Sequence, residues 1–221
     1  MKDYKVVCFK SEPRETIFAP EWEYYIFESF VNKFNFKNLA KLILKKERSI
    51  LKLPLTKRYG KTTDGFTGLG KNSTTIRFES YNVLKWKNTS LLKKAILKGH
   101  AAILNFFKQE TPKELYIQCW ANIMRKGEQI KPHIHSTTPT TYLGGHLCVQ
   151  CDQTSTHYIN PINQINDPEI YSSKNETGKI TFFPNNIPHY TDIQNSDNER
   201  ITIAFDLAIH KPNTGNWIKL I

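Results

Sequence analysis

Leu115-Tyr116-Ile117-Gln118-Cys119-Trp120-Ala121-Asn122-Ile123-Met124 follows Pro112 and marks where the chain changes texture. The run is rich in β-branched and aromatic residues and suits a strand. Three more runs of the same kind follow, Gly144 to Gln150, Lys179 to Phe183 and Ile201 to Ala208, with Asn, Asp, Pro and Ser clusters between them. Upstream the periodicity is helical. Leu39, Ala40, Leu42, Ile43 and Leu44 predict a helix that starts near Asn38 as N-cap and stops before Pro54. Leu91, Leu92, Ala95, Ile96, Gly99, Ala102, Ile103 and Phe106 predict a second over Ser90 to Lys108, capped by Thr89 or Ser90. The Gly-, Thr- and Lys-rich stretch from Tyr59 to Ser73 reads as a loop. Gly68-Leu69-Gly70-Lys71 lacks the upstream spacing of a P-loop. The expected fold is mainly β with appended helices (α+β), a double-sheet barrel or jelly roll with the helices packed outside it.

At 221 residues the expectation is a single domain. Residues 1–114 would form its helix-bearing part and residues 115–221 its strand-rich core. A 39% hydrophobic and 12% aromatic composition argues against extensive disorder. Lys10, Glu12 and Arg14 stand where a secretory leader would have its apolar segment, and no apolar run reaches the roughly 18 residues of a membrane span. The sequence therefore points to a cytoplasmic protein with no membrane partner. Cys148-Val149-Gln150-Cys151 stands alone, with no second CxxC and no strand-to-helix context, and reads as ordinary strand cysteines. The net charge of +11 is uneven: residues 1–132 carry 26 basic against 12 acidic residues (+14), and residues 133–221 carry 5 against 8 (−3). A basic half can meet a polyanion such as nucleic acid. Lys41, Lys45, Lys46, Lys93, Lys94 and Lys98 fall on helical patterns and read more simply as solvated faces.

The chemistry-bearing residues sit in the second half. His133 and His135 are one residue apart, so an extended chain projects both to one side. His189 would close the site from a later strand. Imidazoles in this arrangement can hold a redox metal such as a mononuclear iron. Arg200, eleven residues on, would turn through Asn195-Ser196-Asp197-Asn198 and return on the neighbouring strand to meet an anionic ligand of that metal. The competing reading of Arg200 is an exposed ion pair with Glu199 or Asp197, of little energetic consequence. His100, His157 and His210 read as surface or satisfied core residues.

Trp120-x-Asn122, Pro132-His133-Ile134-His135, Leu143-Gly144-Gly145, and Phe182-Phe183-Pro184-x-x-Ile187-Pro188-His189 leading to Glu199-Arg200-Ile201-Thr202-Ile203-Ala204-Phe205 resemble the 2-oxoglutarate/Fe(II)-dependent oxygenases of bacterial and phage type. Ile17-Phe18-Ala19-Pro20 and Tyr81-Asn82-Val83-Leu84-x-Trp86 are similar to that family as well. The resemblance implies a double-stranded β-helix (jelly roll, cupin-like) and a dioxygenase, in practice a hydroxylase, that uses Fe(II), 2-oxoglutarate and dioxygen. Carried over residue by residue, it makes His133, His135 and His189 the metal ligands and Arg200 the anchor of the distal carboxylate of 2-oxoglutarate. Thr202, on the same strand face, would add a hydroxyl, and Asn122 an amide directed at the oxo acid or the substrate. His146 is a reserve ligand, better placed to line the cavity.

The departure lies at His135, where many relatives in the wider superfamily carry a carboxylate. A third neutral imidazole leaves the site one unit more positive. It leaves open a three-His iron site, another divalent metal, or a position for His135 outside the coordination sphere. Two other functions stand beside the oxygenase: a cupin-like metalloprotein that does not use 2-oxoglutarate, and a non-catalytic module that binds nucleic acid or an assembly. The substrate, whether protein, nucleic acid or small molecule, is not written in the ligand set.

Overall fold

The computed structural model describes residues 4–32, 34–135, 141–162 and 169–221. Its elements are β1 (Lys5–Lys10), β2 (Glu23–Phe30), α1 (Phe36–Ile50), the two-residue strands β3 (Lys57–Arg58) and β4 (Lys61–Thr62), α2 (Ser90–Phe106), β5 (Tyr116–Met124), β6 (Thr141–Gln150), β7 (Ser155–Ile159), β8 (Ile170–Lys174), β9 (Lys179–Pro184), β10 (His189–Thr191), β11 (Arg200–Ala208) and β12 (Ile218–Lys219). One seven-stranded sheet runs β1-β2-β9-β6-β11-β5-β12, and a three-stranded sheet runs β10-β7-β8, with every pairing antiparallel. This is the expected mainly β jelly roll with two helices.

Period-two alternation explains how the large sheet separates core from cavity. All nine residues of β11 are buried. Ile201, Ile203, Phe205 and Leu207 join the main hydrophobic cluster with Leu39 and Ile43 of α1 and Leu92 and Ile96 of α2. The alternate residues Arg200, Thr202, Ala204 and Asp206 face the interior cavity. β9 divides likewise, with Ile180 and Phe182 in the helix-side cluster and Phe183 in a second cluster with Tyr158 and Ile187. Gly99 of α2 lies against the ring of Phe182, where a Cβ would collide, so this mid-helix glycine lets α2 close on the sheet.

Helix starts differ from the sequence expectation. α1 is capped by Asn35, whose side chain accepts from the Asn38 N–H, so Asn38 lies inside the first turn. The expected cap of α2 is in place as Thr89, but its hydroxyl donates back to the carbonyls of Leu84 and Trp86 and leaves the first turn uncapped. The loop expected between Tyr59 and Ser73 includes the end of a short hairpin, β3 with β4. Strands β1 and β2, contributed by the N-terminal part, extend the same sheet as β9. No helix among the described residues is long and apolar enough to cross a membrane. Met1 to Asp3, where the leaderless reading begins, lie outside the described residues.

Candidate metal and co-substrate site

The three histidines converge because the extended segment at His133 pairs with the edge strand β10 of the small sheet. His133 and His189 form an antiparallel bridge, with reciprocal N–H to carbonyl bonds of 3.1 and 3.0 Å. The pairing continues outward, as His135 N–H donates to Asn185 O at 3.0 Å and Thr191 N–H to Ile130 O at 3.0 Å. Alternation along this extended stretch brings His133 and His135 to one side, against His189. One side-chain ligand atom from each of the three lies within 4.8 Å of the others, and they form the one such group of metal-ligating side chains among the described residues.

Each imidazole has its Nδ1 engaged. His133 Nδ1 lies 2.8 Å from Lys131 O, His189 Nδ1 3.0 Å from Ile187 O, and His135 Nδ1 2.6 Å from Asp206 Oδ1. A carbonyl or carboxylate acceptor requires the proton on Nδ1, so each ring turns the lone pair of Nε2 toward the common space. Burial, followed by the neighbouring His135, pulls His133 down to about 4. His189 is pulled well below its ordinary value, again by burial first and then by His133 and His135. Neutral rings are the form that binds a cation.

Asp206 escaped the sequence reading. It lies on β11 at the period-two position that continues Arg200, Thr202 and Ala204, and that alternation was the available signal. Its side chain and that of His135 are 12% and 6% exposed, so the bond between them is largely shielded from water. A carboxylate thus stands one hydrogen bond behind the His135 ring. Gly144 makes room for it. A Cβ there would lie 2.7 Å from Asn185 Oδ1 and 2.8 Å from His135 Nδ1.

Arg200 does not return on a strand neighbouring β10. It crosses to the facing sheet, on β11 between β6 and β5. It is 2% exposed, which excludes the surface ion pair with Glu199 or Asp197, and Asp197 instead meets Lys126 at 2.8 Å. Its guanidinium touches Met124 Sδ at 3.4 Å and Thr156 Oγ1 at 3.5 Å, and Nε is buried without a hydrogen-bond partner among the described residues. Among the described residues no acidic side chain pairs with it, and a buried permanent cation without an anion costs several kcal/mol. The donor set therefore fits a carboxylate ligand in this cavity, and three Nε2 atoms fit a divalent ion.

Thr202, buried opposite Asn122 in the β11–β5 register, lines the same cavity. Asn122 Oδ1 accepts from Thr75 Oγ1 at 2.8 Å, which leaves its NH2 as the donor on the cavity side. Thr156 on β7 escaped the sequence reading because no strand was expected there. It donates to Asn175 at 2.9 Å and stands beside Arg200. His146 is a cavity wall, its ring parallel to Tyr158 at 6.4 Å between centroids. His100 is buried against Tyr142, His157 bridges Ser172 and Asp192 at 2.8 Å each, and His210 is exposed. The cavity measures about 960 Å³ and opens past the β3–β4 hairpin.

Residues 118–206 match the family model described as "Putative 2OG-Fe(II) oxygenase". No curated protein matches the chain. Among solved structures, a prolyl-4-hydroxylase of Pseudomonas putida superposes with a TM-score of 0.54 at 10% identity, covering 83% of this chain and 92% of that one. A Trichoplax adhaerens prolyl hydroxylase, solved with a hypoxia-inducible-factor peptide fragment, gives 0.54 at 7% identity and 83% of both chains. The non-heme alpha-ketoglutarate-dependent carbocyclase SnoK from nogalamycin biosynthesis gives 0.52 at 8%, covering 83% of this chain and 79% of that one. At such identities the likeness is one of fold, the double-stranded β-helix.

Proposed function

We propose, from the match of residues 118–206 to the 2OG-Fe(II) oxygenase family, that the chain is a member, that His133, His135 and His189 hold the ferrous ion through Nε2 and that Arg200 anchors 2-oxoglutarate. The family makes the chain an oxidoreductase that uses Fe(II), 2-oxoglutarate and dioxygen on a second substrate. Bound together, the iron and the oxo acid supply the oxidising chemistry, which leaves succinate, carbon dioxide and a substrate we take to be hydroxylated.

The protein's part is to bind, orient and shield. Arg200 offers a permanently charged, planar donor set to the distal carboxylate. Thr202 lines the same cavity with a hydroxyl to give, Thr156 accepts from Arg200 while its own proton goes to Asn175, and Asn122 adds an amide donor toward the oxo acid or the substrate. Asp206 fixes the tautomer and orientation of His135 and returns negative charge to a site whose three direct ligands are neutral. Phe183, 4.6 Å from the His189 ring and 5.4 Å from the His135 ring, keeps one wall of the site dry.

The observation that carries this reading is the buried guanidinium of Arg200, which meets no acidic side chain among the described residues, in the cavity that the three histidines also line. A cupin-like site without 2-oxoglutarate has no use for it, and a non-catalytic module has no use for either. We further propose one folding unit, with residues 1–114 and 115–221 as its two parts, supported by the strands that residues 5–30 add to the core sheet. A reducing, cytoplasmic setting agrees with four free cysteines. The basic N-terminal half would face a polyanionic partner or substrate. Anaerobic addition of 2-oxoglutarate to the Fe(II)-loaded protein tests the reading: a weak visible charge-transfer band of the chelated oxo acid supports it, and a flat spectrum contradicts it.

A further inference from the structure

The mouth of the cavity carries two aromatic side chains that the fold does not use. Tyr59, at the tip of the β3–β4 hairpin, is fully exposed at 103%, and Phe66, just beyond it, is 80% exposed; both line the cavity. Both also have left-handed backbone, with φ of 51° for Tyr59 and 65° for Phe66. A bulky non-glycine residue in that region costs on the order of 1 kcal/mol or more and persists where the surroundings require it. Here neither ring recovers that cost by packing. A ring held over a cavity in a strained conformation with its faces in water is a contact surface for something else.

The charges on the segments that carry these rings are mostly basic, with Asp64 and Glu79 as the acidic members. Lys57, Lys61, Lys71 and Lys131 are exposed, and among the described residues none of them pairs with an acidic side chain. The two acidic groups nearby are engaged: Glu79 holds Arg58 at 2.8 Å, and Asp64 accepts from the Gly70 N–H at 3.0 Å. Free lysines beside exposed aromatic faces match a ligand that alternates anionic links with flat rings. Phosphates would take the lysines and bases would stack on Tyr59 and Phe66. The ligand must also thread a group down to the histidines. A base paired in a duplex cannot leave its stack without being extruded, whereas an unpaired base can enter directly.

We propose that the hairpin and loop over residues 57–67 form a binding lip for single-stranded nucleic acid, and that this polymer is the substrate admitted to the site. The inference rests on the preceding reading only in that the lip opens onto the same cavity. The lip is tied to the metal ligands by two consecutive bonds: Lys131 N–H donates to Thr67 O at 2.8 Å, and His133 Nδ1 lies 2.8 Å from Lys131 O. The stem of Lys131 also lies across Gly68, where a Cβ would meet it at 2.7 Å. A strand seated on the lip would therefore be felt at His133.

Fluorescence anisotropy of a fluorescein-labelled oligothymidylate with the full Fe(II)- and 2-oxoglutarate-loaded chain, kept anaerobic, tests this against a labelled acidic peptide of equal net charge. We expect the oligonucleotide to bind more tightly than the peptide, with Tyr59→Ala plus Phe66→Ala weakening it about tenfold or more. Tyr59→Phe plus Phe66→Tyr should keep the affinity, which separates stacking from a disturbed loop. Lys61→Gln and Lys131→Gln should each lower the log–log salt slope by about 0.7. Equal or tighter binding of the peptide, or an affinity indifferent to the aromatic pair, overturns the proposal. The visible band of the 2-oxoglutarate complex, recorded on the same samples, tells the two readings apart. A band without oligonucleotide binding defeats the lip alone, and binding without a band defeats the oxygenase site alone.

Discussion

Asp206 and His135 share a hydrogen bond of 2.6 Å across the interior of the barrel, from β11 of the large sheet to the segment that carries two of the three histidines. In the proposed three-histidine site it sets a carboxylate one hydrogen bond behind the ligands. Asp206→Asn keeps the shape and removes the charge, and an amide can still accept from Nδ1. We expect a metal affinity lower by about 10- to 100-fold, measured by competition with a chelator, with little change in the unfolding midpoint of the metal-free protein. Unaltered metal affinity would mean that Asp206 serves only packing.

Arg200→Met separates a cost to the fold from a gain in binding. The guanidinium is buried without an anion, so an apolar side chain of similar length should leave the ligand-free protein as stable as before or more so. The same change should weaken 2-oxoglutarate by about 2 kcal/mol or more, since the oxo acid's carboxylate then enters unpaired. Calorimetric titration and thermal unfolding of one variant check both halves. A variant that unfolds early and still binds the oxo acid would assign Arg200 to structure.

The glycine pair of β6 gives a paired test. A Cβ on Gly144 would press on Asn185 Oδ1 and His135 Nδ1, whereas one on Gly145 would strike the Phe205 ring and the Thr181 carbonyl. Gly144→Ala should therefore lower metal affinity in a protein that still folds. Gly145→Ala should cost stability directly, by about 1–3 kcal/mol as overpacked cores do. Denaturant unfolding and metal titration of the two variants check this, and equal effects on both properties would contradict it.

Acid should weaken the metal-free fold early. His100 and His133 are held down to about 4, in both cases by burial first, and His189 lies well below its usual value. The unfolded chain protonates these rings near 6.5, so below that pH it binds more protons than the folded one. Their contribution is complete above about 6.5, falls as pH drops, and levels off for His100 and His133 near 4. The thermal midpoint of the metal-free protein should fall steadily from pH 7 to pH 5. A flat profile over that window would contradict these assignments.

Much of the site was legible because short-range rules govern it. His133 and His135 are separated by a spacing that an extended chain converts directly into geometry, whereas His189, 54 positions beyond His135, came from the resemblance of its Pro188-His189 motif. Arg200 was legible as a charge but not as a location, because nothing local tells a strand which of two facing sheets it joins. Asp206 was hidden for the same reason: its partner His135 is 71 positions away in sequence and on another layer. The hairpin at Lys57 to Thr62 was masked by glycines and lysines, and β7 and β8 by their hydroxyl-rich composition. Asn35 displaced Asn38 as the helix cap because either side chain can serve and only the path of the preceding chain decides.

In the proposed single Fe(II) and 2-oxoglutarate site of three imidazoles and one arginine, His135 is the decisive member. The coordination sphere of the purified Fe(II) protein with 2-oxoglutarate, determined crystallographically under anaerobic conditions, tests it most directly. The iron should be bound by Nε2 of His133, His135 and His189, with the distal carboxylate of the oxo acid on Arg200. Iron bound without His135, or an oxo acid that leaves Arg200 unpaired, would contradict it.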